Sequence, residues 1–209
     1  LLQLAGQFET GEEPKLAEYG KRLAKLADKS FDVNAEFDAD LNKGNYNVPT
    51  LAAKTLGINL TGQMKATAFN SDNGKVDGKF SLQGEKLAGV LAALDQGALG
   101  EVLQSVKMEA GVKGQGGEIA LSPLQIKAAF AGKQIPNSPV DLTLSADTRV
   151  NLENQTLTVK KLALQGLGLN VTGNLSASKI KDDPQFSGDL NIEEFNLRQL
   201  AQQLNQKLP

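Results

Sequence analysis

The pattern that dominates the chain is alternation, apolar then polar, residue by residue. In "VDLTLSADTRVNL" Val140, Leu142, Leu144, Ala146, Val150 and Leu152 fall on one side, and Asp141, Thr143, Ser145, Asp147, Arg149 and Asn151 on the other. A period of two is the mark of a strand with one apolar and one polar face. Similar alternation predicts strands over 31–41, 47–56, 58–69, 75–83, 106–113, 117–131, 155–165, 168–178 and 185–193. Between them lie short turn-forming stretches: "NKGN" at 42–45, "NSDNG" at 70–74, "GQGGE" at 114–118, "NLENQT" at 151–156 and "KDDP" at 181–184. Strands joined by short turns pair antiparallel, as a meander, and not through βαβ crossovers.

Three segments switch to helical spacing. Leu16, Tyr19, Leu23 and Leu26 share a face over 14–28. A second helix is expected over 86–105, with Gly97 and Gly100 as places where it splits, and a third over 196–207. The fold expected is mostly β with helices (α+β).

One stretch occurs twice. "LGINLTGQMKA" (56–66) and "LGLNVTGNLSA" (167–177) agree at six of eleven positions, 111 residues apart. A hairpin precedes each copy, and a last strand running into a helical segment follows, so 41–96 and 150–206 read as two copies of one unit. The organisation expected is a tandem repeat of antiparallel β-meander units forming a curved amphipathic sheet or groove, with short helices at repeat ends. Residues 1–30 read as the end of a preceding repeat and an amphipathic helix, 31–106 as unit 1 with its closing helix, and 107–209 as unit 2 with an extra hairpin. The start at "LLQLAG", without methionine, suggests a piece of something longer.

Composition removes several chemistries. Among 209 residues there is no cysteine, histidine or tryptophan, so cysteine nucleophiles, serine–histidine triads and His- or Cys-ligated metals are excluded from this chain. The paired carboxylates Asp182-Asp183 and Glu193-Glu194 sit in polar, turn-like settings, so no catalytic residue, cofactor site or metal site is expected. Charge is balanced, with 24 acidic and 22 basic residues and only three arginines. Nothing in that points to nucleic acid. No apolar run reaches the ~20 residues of a membrane span.

At "LTVKKLALQGLGLNVTGNLSASKIKDDPQFSGDLNIEEFNLRQLAQQL" (157–204) the sequence resembles the AsmA family of Gram-negative envelope proteins. The marks are a hairpin ending in "LGLNVTG", the strand "PQFSGDLNI" after a short turn, and "FNLRQLAQQL" opening a helix. The first copy carries a weaker version, without "FNLR". The resemblance implies a periplasmic part of a protein anchored in the inner membrane, built as a long β groove like that of bridge-like lipid-transfer proteins. It implies a role in phospholipid transport between the membranes and in outer-membrane biogenesis. Phospholipid acyl chains would then be the partner, with Leu142, Leu144, Val150, Leu157, Val159, Leu162, Leu164, Leu169 and Val171 as lipid-contact candidates. On the residues alone the same apolar face fits an ordinary closed core, as in a structural or protein-interaction scaffold.

Overall fold

The computed structural model describes residues 14–26, 31–71, 73–133, 135–181, 183–196 and 198. All ten expected strands form: β1 (Phe31–Asp40), β2 (Asn45–Thr55), β3 (Ile58–Thr67), β4 (Lys75–Glu85), β5 (Leu103–Gln115), β6 (Glu118–Gly132), β7 (Ile135–Asn151), β8 (Thr156–Gly166), β9 (Leu169–Ser178) and β10 (Gln185–Ile192). They make one sheet in sequence order, every neighbouring pair antiparallel. Among the described strands β1 and β10 are the outermost. The expected boundary between units at 106/107 lies inside β5, so both units share one continuous sheet.

The turns explain why the chain folds back where it does. Leu56-Gly57, Gly116-Gly117 and Leu167-Gly168 are two-residue connections with positive φ at both positions. That geometry twists in the same sense as the strands it joins. Where alternation slips by one residue, the ladder bulges. Pro49 lies in such a shift, between Val48 and Leu51, and Pro123 in another, between Leu121 and Leu124. Proline has no N–H to give to a ladder, so a bulge is where a strand tolerates it.

Helix α1 (Pro14–Leu23) is shorter than expected. The segment at 86–105 is two helices, α2 (Ala88–Ala93) and α3 (Gly97–Val102), and ends early because Leu103 turns extended and opens β5. The break falls at Asp95, which takes a left-handed φ of 61°. The helix expected over 196–207 lies outside the described residues apart from 196 and 198. Leu87 is buried, and its methyl groups lie with Val106 around the vacant side-chain position of Gly84. α2 and α3 pack on each other, α3 touches β5 and β6, and α1 rests on α2. Arg22 ties that corner, donating to Glu18 and to Asp95 at 2.5 Å each. These two carboxylates, Glu18 first, hold the guanidinium further into its charged form.

Little of this molecule is closed. The buried apolar residues among those described are Ala66, Leu87, Ala93, Ala110, Ala146 and Ala177, and none of the larger side chains is fully buried. The chain exposes 14490 Å², whereas a compact monomer of 22.2 kDa exposes about 9,400 Å². A single sheet without a second layer over most of it contributes to the difference.

Candidate functional site

Register makes the apolar positions continuous. Residues directly opposite each other on paired strands share a face. One row crosses all ten strands: Val33, Ala53, Leu60, Leu82, Met108, Ile126, Leu144, Leu164, Val171 and Ile192. Every member is apolar. The next row carries Ala35, Leu51, Gly62, Phe80, Ala110, Leu124 and Ala146 from β1 to β7, and then Gly173 and Leu190 on β9 and β10. At one end of this face Tyr46 sits between Phe37 and Phe69, with ring centres 6.4 and 6.2 Å away.

The nine candidates named from sequence come from β7, β8 and β9, and all nine are half-buried. Leu144, Leu164 and Val171 lie in the ten-strand row. Val150 faces Leu157, Leu162 faces Gly173 and Leu169 faces Gly166. Two of the pairings depend on a bulge that the alternation did not reveal. Val159 and Leu162 are an odd number of residues apart, which in a regular strand sends them to opposite faces. The ladder shifts between them, and Lys161 takes a left-handed φ of 51°. The signal was present as the doubled lysine in "TVKKLAL". The sequence reading also confined its candidates to one half of the sheet. Leu60, Leu82, Met108 and Ile126 continue the same row, and the alternation of their own strands marked them.

The opposite face carries the charge. Lys107–Glu109 (2.6 Å), Arg149–Glu118 (3.3 Å) and Lys161–Asp147 (2.9 Å) are ion pairs there. Shallow depressions of about 520, 500, 410 and 290 Å³ lie between rows of polar side chains on this face. The largest is floored by Gly62, Ala110 and Gly111 and rimmed by Gln63, Lys79, Glu109 and Gln125. In the smallest, Ser122 Oγ donates to Asp147 Oδ1 at 2.5 Å. The Ser122 hydrogen bond, and then Lys161, hold the Asp147 carboxyl below its usual range, while Asp147 raises Lys161. Asp147 is thereby a weak base and Lys161 keeps its proton at neutral pH, so neither is tuned to take a proton from Ser122.

Among the described residues no group of His, Cys, Asp and Glu has the arrangement to hold a metal ion. No helix there is long and apolar enough to cross a membrane. No protein-family model, curated protein or solved structure matches the chain.

Proposed function

We propose that this chain is a segment of a non-catalytic lipid conduit, with phospholipid acyl chains lying on its apolar face. The single observation that carries this reading is the ten-strand apolar row, half-buried or exposed along its length, with the described helices over one end. Strands of ten residues are ~33 Å long, close to the ~30 Å of bilayer hydrocarbon. Aliphatic side chains without buried polar groups suit a lining along which acyl chains slide.

The unit of construction in this reading is a tandem repeat, β1–β4 and β7–β10, with β5–β6 as an inserted hairpin. Three sets of pairs support it. Leu51–Gly62, Ala52–Thr61 and Lys54–Asn59 recur as Leu162–Gly173, Ala163–Thr172 and Gln165–Asn170, and the shift after Val48 recurs after Val159. Val33–Ala53 recurs as Leu144–Leu164. Leu60–Leu82 and Gly62–Phe80 recur as Val171–Ile192 and Gly173–Leu190. Residues 31–106 and 107–209 then remain the working units. Curvature of the sheet into a groove, a periplasmic location, an inner-membrane anchor outside this chain and membership of the AsmA family belong to the same proposal. They rest on the sequence resemblance.

A second reading has a protein covering the apolar face, as in an envelope scaffold. The place of these four depressions on the polar face, away from the acyl chains a conduit would hold, favours it. Mass spectrometry of the detergent-free protein separates the two. The conduit reading expects co-purifying phospholipid, and its loss in Leu144→Asp. On an open face that substitution costs about 1–2 kcal/mol, because water reaches the new carboxylate, against several in a closed core. No lipid in the parent protein, or a Leu144→Asp chain that keeps all of it, sinks the conduit.

A further inference from the structure

On the polar face there is one place where the charges do not balance. Directly opposed positions on β3, β4 and β5 read Lys65, Asp77 and Lys113, and the row continues through Ala120 on β6 to Arg149 on β7. The signs alternate as far as Lys113. A carboxylate at 120 would continue that alternation, and an alanine stands there instead. Lys75 lies two residues from Asp77 on β4 and so projects from the same face. One carboxylate thus has three lysines around it. Lys113 approaches it only to 3.9 Å, and Lys65 and Lys75 form no ion pair among the described residues. Arg149 meets Glu118 through Nε at 3.3 Å, so the terminal nitrogens of its guanidinium are not the ones nearest that carboxylate.

These side chains line the depression of about 410 Å³, with Thr67 and Gln115 as neutral hydrogen-bonding groups. Four cations against two carboxylates make it positive, in a chain whose net charge is -2. Backbones two strands apart are about 9.5 Å from each other. Lys113 and Arg149 therefore stand on either side of a gap floored by Ala120. All five strands are interior to the sheet, so the site does not depend on what pairs with β1 or β10.

We propose that this depression binds a phosphate monoester, held between Lys113 and Arg149 in the field of Lys65 and Lys75. A monoester carries a charge of about -1.5 to -2 near neutral pH and three acceptor oxygens. That charge matches the surplus in the depression. The guanidinium fork fits two phosphate oxygens at once, and the lysines act as point charges. The ester is the headgroup of an anionic lipid or a soluble metabolite. The site is on the polar face and is independent of what lies on the apolar one.

The test is an NMR titration of the isotope-labelled chain with glycerol phosphate at constant ionic strength. Amide signals of Lys113, Ala120 and Arg149 should shift together and saturate in the millimolar range. Lys113→Gln and Arg149→Gln should each weaken binding by up to about fivefold, and Asp77→Asn, which removes a competing carboxylate, should tighten it by a similar factor. Lys54→Gln, the same charge change on β2 outside the depression, should leave the affinity as it was. Absence of saturable shifts overturns the proposal. So does an equal loss in Lys54→Gln and Lys113→Gln, or an Asp77→Asn chain that binds no tighter. Vesicle flotation then separates the sources. Binding to phosphatidylcholine vesicles only when they contain phosphatidic acid, lost in Arg149→Gln and displaced by glycerol phosphate, assigns the lipid headgroup. Saturable glycerol phosphate binding without flotation assigns a soluble ester. Circular dichroism on each variant checks that the sheet is intact, and phospholipid on the apolar face is scored by its own experiment.

Discussion

The hairpins β2–β3 and β8–β9 have nearly the same turn and very different surroundings. Leu56-Gly57 and Leu167-Gly168 adopt φ of 51° and 76° in one, 54° and 72° in the other. At Gly57 a Cβ would lie 2.3 Å from the carbonyl oxygen of Glu85, because β4 extends past the turn and Glu85 donates its N–H to Gly57. At Gly168 the same atom would meet nothing within 4 Å. β10 stops at Ile192 and leaves that turn at the rim. Local sequence sets the turn, and the neighbouring strand sets what a change there costs.

The largest expected effect follows from that contrast. Gly168→Ala carries only the penalty of a left-handed residue, roughly 1–2 kcal/mol. Gly57→Ala adds a collision with backbone that is itself hydrogen-bonded, and should cost roughly 2–4 kcal/mol in all. For a chain of this size each kcal/mol lowers Tm by about 2–4 °C. Equal losses of Tm in the two variants would mean that Glu85 yields freely and that the β4 extension does not constrain the turn.

A middle-sized effect tests the bulges. Asn174 Oδ1 accepts the N–H of Lys161 at 3.2 Å and so satisfies the residue that the β8 bulge pushes out of the ladder. Gln63 stands in the matching place on β3, 111 residues earlier, and makes no such bond to Thr50 among the described residues. Asn174→Ala should cost about 0.5–1.5 kcal/mol, and Gln63→Ala much less. Urea midpoints of the two variants make the comparison, and amide exchange at Lys161 should speed up in Asn174→Ala alone.

How much of this was legible follows the same division between local and neighbouring causes. Ten strands, their order and the meander were readable because alternation and short turns are local signals. The end of the 86–105 helix at Val102 was not, because Leu103 is recruited by Phe130 across the sheet. The candidate face was readable strand by strand. Its continuity was not, since Val159 and Leu162 share a face only through the Lys161 bulge, and β3 through β6 join the row only once register is known. That β1 pairs with β2 at Val33–Ala53 as β7 pairs with β8 at Leu144–Leu164 also escaped the sequence comparison, because "FDVNAEFDAD" and "LTLSADTRVN" share few residues.

The smallest effect lies on the polar face, and its sign is fixed by two groups. Asp147 is held below its ordinary value by Ser122 and Lys161, so what it contributes is present above the unfolded carboxylate range. That contribution is lost as pH falls through the depressed folded value. Lys161 is raised by Asp147, so its share is present below its ordinary value and lost as pH rises past the folded one. Asp147→Asn should therefore lower Tm slightly at neutral pH, and the gap from the unmodified chain should close toward strong acid and narrow only in part toward strong alkali, where Lys161 is neutral but Ser122 still donates to the carboxylate. The change stays small because the lysine is mostly exposed and solvent screens the pair. Glu36, at the matching place on β1, has no ion pair among the described residues, so Glu36→Gln removes none and serves as the comparison. A Tm gap for Asp147→Asn that stays constant from acid to alkaline pH would show that the carboxylate acts only as a hydrogen-bond acceptor for Ser122, a role the amide oxygen partly keeps.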